Sequence, residues 1–152
     1  LRANKLSLRI RTFDYAAEMT LKIPQKVGNL EHNIALTSEE ANAILATKTL
    51  PQNCINIQNI LELLKGYAID LSAVRVLGSL TTTRREYETS IGLMALDKNE
   101  YSGRLDYELE LEVADARSGE KNFNYFLKDN QIEYRYARSK VVRFLESIGK
   151  MP

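Results

Sequence analysis

The chain has no tryptophan, one cysteine, one histidine and three prolines in 152 residues. With Cys54 alone, no disulfide can form within the chain, so a disulfide scaffold is excluded. The lone thiol suits a reducing compartment, and a cytoplasmic location is the expectation. Beside the start of a helical pattern, Cys54 reads as a small buried apolar residue. His32, with no second histidine, reads as an ordinary strand or loop residue and not as a base. No apolar run is long enough to cross a bilayer, and none opens the chain as a signal would. An excess of one charge sign is also missing: 21 Lys and Arg face 20 Asp and Glu, a net charge of +1. That argues against a general nucleic-acid binder, which carries a basic surplus. No linker, repeat or low-complexity run divides the sequence, so residues 1–152 are expected to form one domain. The eight Tyr and four Phe are scattered and form no stacking platform for bases.

What is present is charge in opposed blocks. Residues 1–26 hold six bases and two acids, and residues 27–70 hold two bases and five acids. Residues 104–120 hold six acids and two bases, and residues 135–143 hold four bases and no acid. Such a balance arises from surface charge alone or from a site that needs both signs.

Alternation places strands at Lys5–Arg11 and Ala17–Ile23, ended by Pro24, which cannot donate to a ladder. Residues 27–36 read as extended, with Glu31 and His32 inside. Thr37-Ser38-Glu39-Glu40 is a capping box that starts a helix to about Ala46. Ile55–Lys65 carries a helical stripe at 57, 60, 61 and 64, with Gly66 as its stop. Ala73–Leu77 is extended, and residues 78–87 pair as a hairpin with Gly92–Lys98. Leu105–Val113 alternates most regularly, with Leu105, Tyr107, Leu109, Leu111 and Val113 on one face and Asp106, Glu108, Glu110 and Glu112 on the other. Glu120–Lys128 is helical with Phe123, Phe126 and Leu127 inward, Ile132–Tyr136 reads as a short strand, and Ser139–Ile148 is a last helix stopped by Gly149. Strands joined by hairpins, with helices between groups of strands, predict an antiparallel α+β fold.

Same-face residues on a strand lie roughly 6.6–6.8 Å apart. Glu108, Glu110 and Glu112 therefore form a file of carboxylates that needs water, bases or a divalent cation to offset it. Hard cations such as Mg²⁺ take oxygen ligands and suit such a file. Arg9 and Arg11 share one strand face, Lys22 lies on the polar face of the next strand, and Arg84, Lys140 and Arg143 follow. Arg forks match phosphate oxygens, and Lys acts as a point charge. Patterning leaves two readings open: solvated polar faces, which antiparallel sheets commonly keep, or bases that hold a polyphosphate while carboxylates hold its metal.

Several of these segments resemble the CYTH superfamily, the triphosphate tunnel metalloenzymes. Leu8-Arg9-Ile10-Arg11 is similar to the family's paired-Arg strand, and Thr20-Leu21-Lys22 to its strand with an inward Lys. Gly78-Ser79-Leu80-Thr81-Thr82-Thr83-Arg84 resembles the segment with a further Arg, and Leu96-Asp97 the site of an Asp. Asp106-Tyr107-Glu108-Leu109-Glu110 resembles the Glu-x-Glu metal strand, and Ser139-Lys140 the C-terminal Lys element. The order and wording look most like the small bacterial stand-alone branch, and the likeness runs from about Leu1 to Ile148. It implies an eight-stranded antiparallel β-barrel, a tunnel with flanking helices that binds a triphosphate and a divalent metal, Mg²⁺ or Mn²⁺. The family's first strand, Glu-x-Glu-x-Lys, is absent, so the barrel is expected to be incomplete at the N-terminus and to bind metal and triphosphate more weakly than a chain carrying it.

By this resemblance, Arg9, Arg11, Lys22, Arg84 and Lys140 are expected to bind the triphosphate. Asp97, Glu108 and Glu110 are expected to hold the metal, and Glu108, Glu110 and Lys140 to carry catalysis. Arg135, Arg138 and Arg143 are assigned to surface or helix-end contacts. The expected activity is metal-dependent hydrolysis of inorganic tripolyphosphate or an organic triphosphate. The alternatives are a class IV-type adenylyl cyclase and a non-catalytic module that binds polyphosphate or a nucleotide. The expected partner is a triphosphate small molecule, with no nucleic acid and no membrane; the oligomeric state stays open, a homodimer included.

Overall fold

A computed structural model describes residues 1–26 and 29–150. Among these the chain forms six strands and four α-helices, an α+β fold with antiparallel sheets. It divides into two compact units, residues 1–77 and 78–152. The two sheets have three strands each. The Val27–Gly28 part of the expected extended run lies outside the described residues.

In the first unit β1 (Ser7–Thr12), β2 (Ala17–Pro24) and β3 (Asn29–Leu36) form an antiparallel meander. Alternation sends Leu8, Ile10, Met19, Leu21, Ile23, Ile34 and Leu36 to one face, because successive side chains point to opposite sides. That face packs with Ile44 of α1 (Ser38–Thr47) and Ile60, Leu61 and Leu64 of α2 (Gln58–Gly66) in one core cluster. Each buried aliphatic side chain contributes about 1.5–3 kcal/mol relative to exposure. The capping box at α1 is present: Glu40 N donates to Thr37 Oγ1 at 3.1 Å and Thr37 N to Glu40 Oε2 at 2.9 Å. Cys54 is half-buried against this core, with its Sγ 3.5 Å from Glu40 Oε1. His32 is half-buried on β3 opposite Leu21.

The expected stop of α2 is corrected. Gly66 stays helical, and Ala68 takes the left-handed conformation at φ 54. Ile69 N donates to Leu64 O at 3.1 Å and Ala68 N to Lys65 O at 2.8 Å, the paired bonds of a Schellman ending. The helical stripe also starts later than expected, since Ile55–Ile57 is a 3-10 turn.

In the second unit β4 (Thr81–Thr89), β5 (Gly92–Tyr101) and β6 (Arg104–Glu112) form another antiparallel meander. Helix α3 (Ala116–Asp129) packs near the end of β6, where a Cβ on the buried Gly119 would lie 2.5 Å from Val113 Cγ2. The chain then runs without a strand to α4 (Lys140–Ser147), so the short strand expected at Ile132–Tyr136 is not formed. Ile132 instead closes α3: its N–H donates to Leu127 O at 2.8 Å, and Gln131 is left-handed at φ 56. Ser139 caps α4, and Gly149, at φ 65, ends it. Phe144 of α4 lies against Gly78, where a Cβ would meet the ring at 2.5 Å.

Candidate functional site

Register builds the site. Across the second sheet Arg84 lies opposite Asp97 and Asp97 opposite Glu108, while Ala95 faces Glu110 and Asn99 faces Asp106. Period-two alternation therefore gathers Arg84, Asp97, Glu108 and Glu110 on one face. Helix α4 brings Lys140 and Arg143 onto that same face through ion pairs. The burial of β6 is accordingly the reverse of what its composition suggests: Glu108 and Glu110 are half-buried, while Tyr107 on the apolar side is 64% exposed.

Asp97 is fully buried and doubly held. Arg84 donates to it bidentately, Nε to Oδ1 and Nη2 to Oδ2, both at 2.7 Å. The same Nη2 reaches Glu110 Oε2 at 2.6 Å. Lys140 Nζ donates to Asp97 Oδ2 at 2.5 Å and Glu110 Oε1 at 3.0 Å, and lies 3.2 Å from Glu108 Oε2. Burial alone would raise the Asp97 pKa, but the bonds from Arg84 and Lys140 outweigh it and hold the carboxyl below its usual value. The hydrogen bond to Asp97 raises the Arg84 pKa against burial. Burial opposes the Lys140 charge, yet its bonds to Asp97 and Glu110 keep its pKa above the ordinary value.

A second row supports the first. Thr82 Oγ1 donates to Asn99 Oδ1 at 2.7 Å, and the buried Asn99 donates from Nδ2 to Asp106 Oδ1 at 3.0 Å. Tyr101 OH donates to Asp106 Oδ2 at 2.5 Å. Arg143 Nη2 donates to Glu108 Oε2 at 2.8 Å, and its Nε lies 3.3 Å from Asp106 Oδ2. The expectation that Arg143 makes surface or helix-end contacts is thus corrected: it also bonds the Arg138 carbonyl, but its main role is to hold Glu108. Spacing was the available signal, since residues three apart share a helix face, and Lys140 and Arg143 are three apart. Arg135 pairs with Glu133 and Arg138 with Glu146. Glu112 is exposed and outside the cluster.

The carboxylates of Asp97, Glu108 and Glu110 each bring one oxygen within 4.8 Å of the others. An all-oxygen, anionic donor set of this kind fits a hard cation such as Mg²⁺ or Mn²⁺.

The other expected residues lie in the first unit. Arg9 sits opposite Thr20, Arg11 opposite Glu18, and Lys22 opposite Glu31, all on the face away from the core. Arg11 pairs with Glu18 at 3.0 Å and Lys22 with Glu31 at 2.6 Å. Arg9 Nε is buried and has no hydrogen-bond partner among the described residues. Burial, with the neighbouring Arg11 charge, lowers the Arg9 pKa. This face therefore holds a cation that lacks a full set of acceptors.

Comparison with known proteins gives these features a context. The CYTH domain family model matches residues 1–145. The chain is 36% identical over 150 residues to a Bacillus subtilis (strain 168) protein described as "Putative triphosphatase YjbK", covering 99% of this chain and 75% of that one. A crystal structure from Bacillus halodurans, described as a "putative adenylate cyclase", superposes with a TM-score of 0.78 at 30% identity, over 95% of this chain and 74% of that one. A Hippeastrum protein, HpAC1, described as a "putative adenylyl cyclase" that reveals a dominant triphosphatase activity, shares the fold with a TM-score of 0.78 at 23% identity, over 100% of this chain and 77% of its own. Because the family model spans nearly the whole chain and carries the strand that bears Glu108 and Glu110, this protein belongs to the CYTH family.

Proposed function

We propose that the chain is a divalent-metal-dependent triphosphatase that hydrolyses inorganic tripolyphosphate or an organic triphosphate. The observation that carries this reading is the convergence of Asp97, Glu108 and Glu110 within 4.8 Å beside Arg84 and Lys140. Asp97, Glu108 and Glu110 would hold Mg²⁺ or Mn²⁺, which supplies neutralising charge to phosphate oxygens when bound. Arg84 offers a planar fork to a phosphate, and Lys140 a point charge. Arg9, Arg11 and Lys22 are proposed as further phosphate ligands, and the unpartnered Arg9 Nε supports that role. Glu108 and Glu110 are proposed to orient the attacking water and take up its proton. Phosphoryl transfer needs mainly positioning and charge stabilisation, so no covalent nucleophile is required. An eight-stranded barrel acting as one domain, a cytoplasmic location and a triphosphate-containing small molecule as partner belong to the same proposal.

The test is phosphate release from tripolyphosphate with Mg²⁺. Replacing Glu108 and Glu110 together by Ala is expected to lower the rate about a hundredfold or more, in line with the loss of a main charge-stabilising element. An unchanged rate in the double variant rejects the mechanism. A second reading, cyclisation of ATP, is favoured by the description of the Bacillus halodurans structure. Cyclic AMP formed from ATP in place of released phosphate would select it.

A further inference from the structure

The ammonium of Lys140 touches the same three carboxylates that converge as the candidate cation site. Its Nζ lies 2.5 Å from Asp97 Oδ2, 3.0 Å from Glu110 Oε1 and 3.2 Å from Glu108 Oε2. A Mg²⁺-sized cation needs such oxygens at about 2.0–2.1 Å. A cation that took one oxygen from each of the three carboxylates at that distance would crowd the ammonium that already touches all three, so the ammonium and a divalent cation are alternative occupants of the space between them. Arg84 and Arg143 each share one of these oxygens with Lys140, Asp97 Oδ2 and Glu108 Oε2, but neither touches all three carboxylates. Arg84 holds Asp97 from the side through both oxygens and takes the other oxygen of Glu110. Arg143 reaches Glu108 alone among the three, and is anchored to Asp106 and the Arg138 carbonyl.

We propose that Lys140 is a place-holding cation: it neutralises the three carboxylates until a divalent cation displaces it, and the released ammonium then becomes available to a phosphate oxygen. This rests on the reading of the cluster as a cation site. Charge supports it. Arg84, Lys140 and Arg143 offset the charge of the three carboxylates and the adjoining Asp106, so the Lys140 ammonium reduces the negative charge that would draw in a metal. Position supports it too. Lys140 is the first residue of α4, and its four-carbon stem can swing the ammonium to a new partner while the helix stays in place. One residue then serves both roles in sequence, first with the carboxylates and afterwards with the phosphate. The two roles predict opposite signs for its removal.

The experiment measures Mn²⁺ binding to the full chain in phosphate-free buffer, by electron paramagnetic resonance of free Mn²⁺ and by calorimetry. Lys140→Met, which keeps the stem and removes the charge, is expected to bind Mn²⁺ about tenfold more tightly than the wild type, while losing affinity for a methylene-bridged tripolyphosphate. Arg85→Gln is the control. It removes one positive charge from the neighbouring residue of β4, on the opposite face of the sheet, and is expected to change Mn²⁺ affinity less than twofold. In the wild type, Mg²⁺ titration followed by NMR of the lysine ammonium groups is expected to shift the Lys140 signal from a bonded to a solvent-exchanging state, which tests the displacement without any substitution. Equal or weaker Mn²⁺ binding by Lys140→Met, an equal gain in Arg85→Gln, or a Lys140 signal unmoved by Mg²⁺ overturns the inference alone. No Mn²⁺ binding by either wild type or Lys140→Met overturns the cation-site reading, and the inference with it.

Discussion

Asp106 shows how a carboxylate outside the candidate cation site is tied to its geometry. It accepts from Asn99 and Tyr101 and faces Arg143, which in turn holds Glu108. Burial raises its pKa, but the bonds from Tyr101 and Asn99, with the charges of Arg143 and Lys140, bring it below the ordinary value. The sign follows from linkage. A carboxyl whose folded pKa is depressed contributes stability above its unfolded pKa of about 3.9, and loses it as the pH falls through the folded value. Asp106→Asn is therefore expected to cost about 1.5–3 kcal/mol at pH 7, the scale of charge-assisted hydrogen bonds, and progressively less below about pH 4. Urea unfolding at a series of pH values checks this; a cost independent of pH would reject it. Asp97, Glu108, Glu110, Arg84 and Lys140 were legible as single residues because their motifs are local. The Asn99–Asp106–Arg143 relay was not, because it exists only once the β5–β6 register and α4 are in place.

At the scale of elements, starts were easier to read than stops. The Thr37 capping box is a local exchange of side-chain and backbone bonds, so four residues suffice to announce it. The alternation of β1, β2 and β6 likewise survives folding unchanged. Helix ends are different. Three helices close with the same pair of backbone bonds, around Ala68, Gln131 and Gly149. Only the third of these positions carries the glycine that marks the motif in a sequence. Gly66 therefore misplaced one stop by two residues, and Ile132 looked like a strand although it closes α3. The left-handed conformation costs an L-residue roughly 1–2 kcal/mol. Ala68→Gly is expected to recover about 1 kcal/mol of that in urea unfolding, less the entropy that glycine adds to the unfolded chain. A loss of stability would mean that the Ala68 methyl contributes more by packing than its conformation costs.

At the scale of the whole molecule, the charge balance with which the sequence begins turns out to be divided between the two units. The carboxylates of the candidate cation site all come from β5 and β6, and the bases that neutralise them from β4 and α4, so this cluster is complete within residues 78–152. Arg9, Arg11 and Lys22 belong to residues 1–77, where Glu18 and Glu31 are paired with Arg11 and Lys22, and Arg9 Nε has no acceptor among the described residues. A divalent cation and a triphosphate should accordingly leave different footprints. Ligand binding stabilises whatever it contacts by mass action, and local protection from amide exchange reports where. Mn²⁺ alone is expected to slow exchange in β5, β6 and the first turn of α4 and to leave β1 and β2 unchanged. Adding a methylene-bridged tripolyphosphate with Mn²⁺ is expected to extend the slowing to β1 and β2, if the Arg9 face takes phosphate as proposed. Protection of β1 and β2 by Mn²⁺ alone would contradict the assignment of the cation to Asp97, Glu108 and Glu110. Protection confined to residues 78–152 with both ligands present would remove Arg9, Arg11 and Lys22 from the phosphate site and leave Arg84 and Lys140 as its bases.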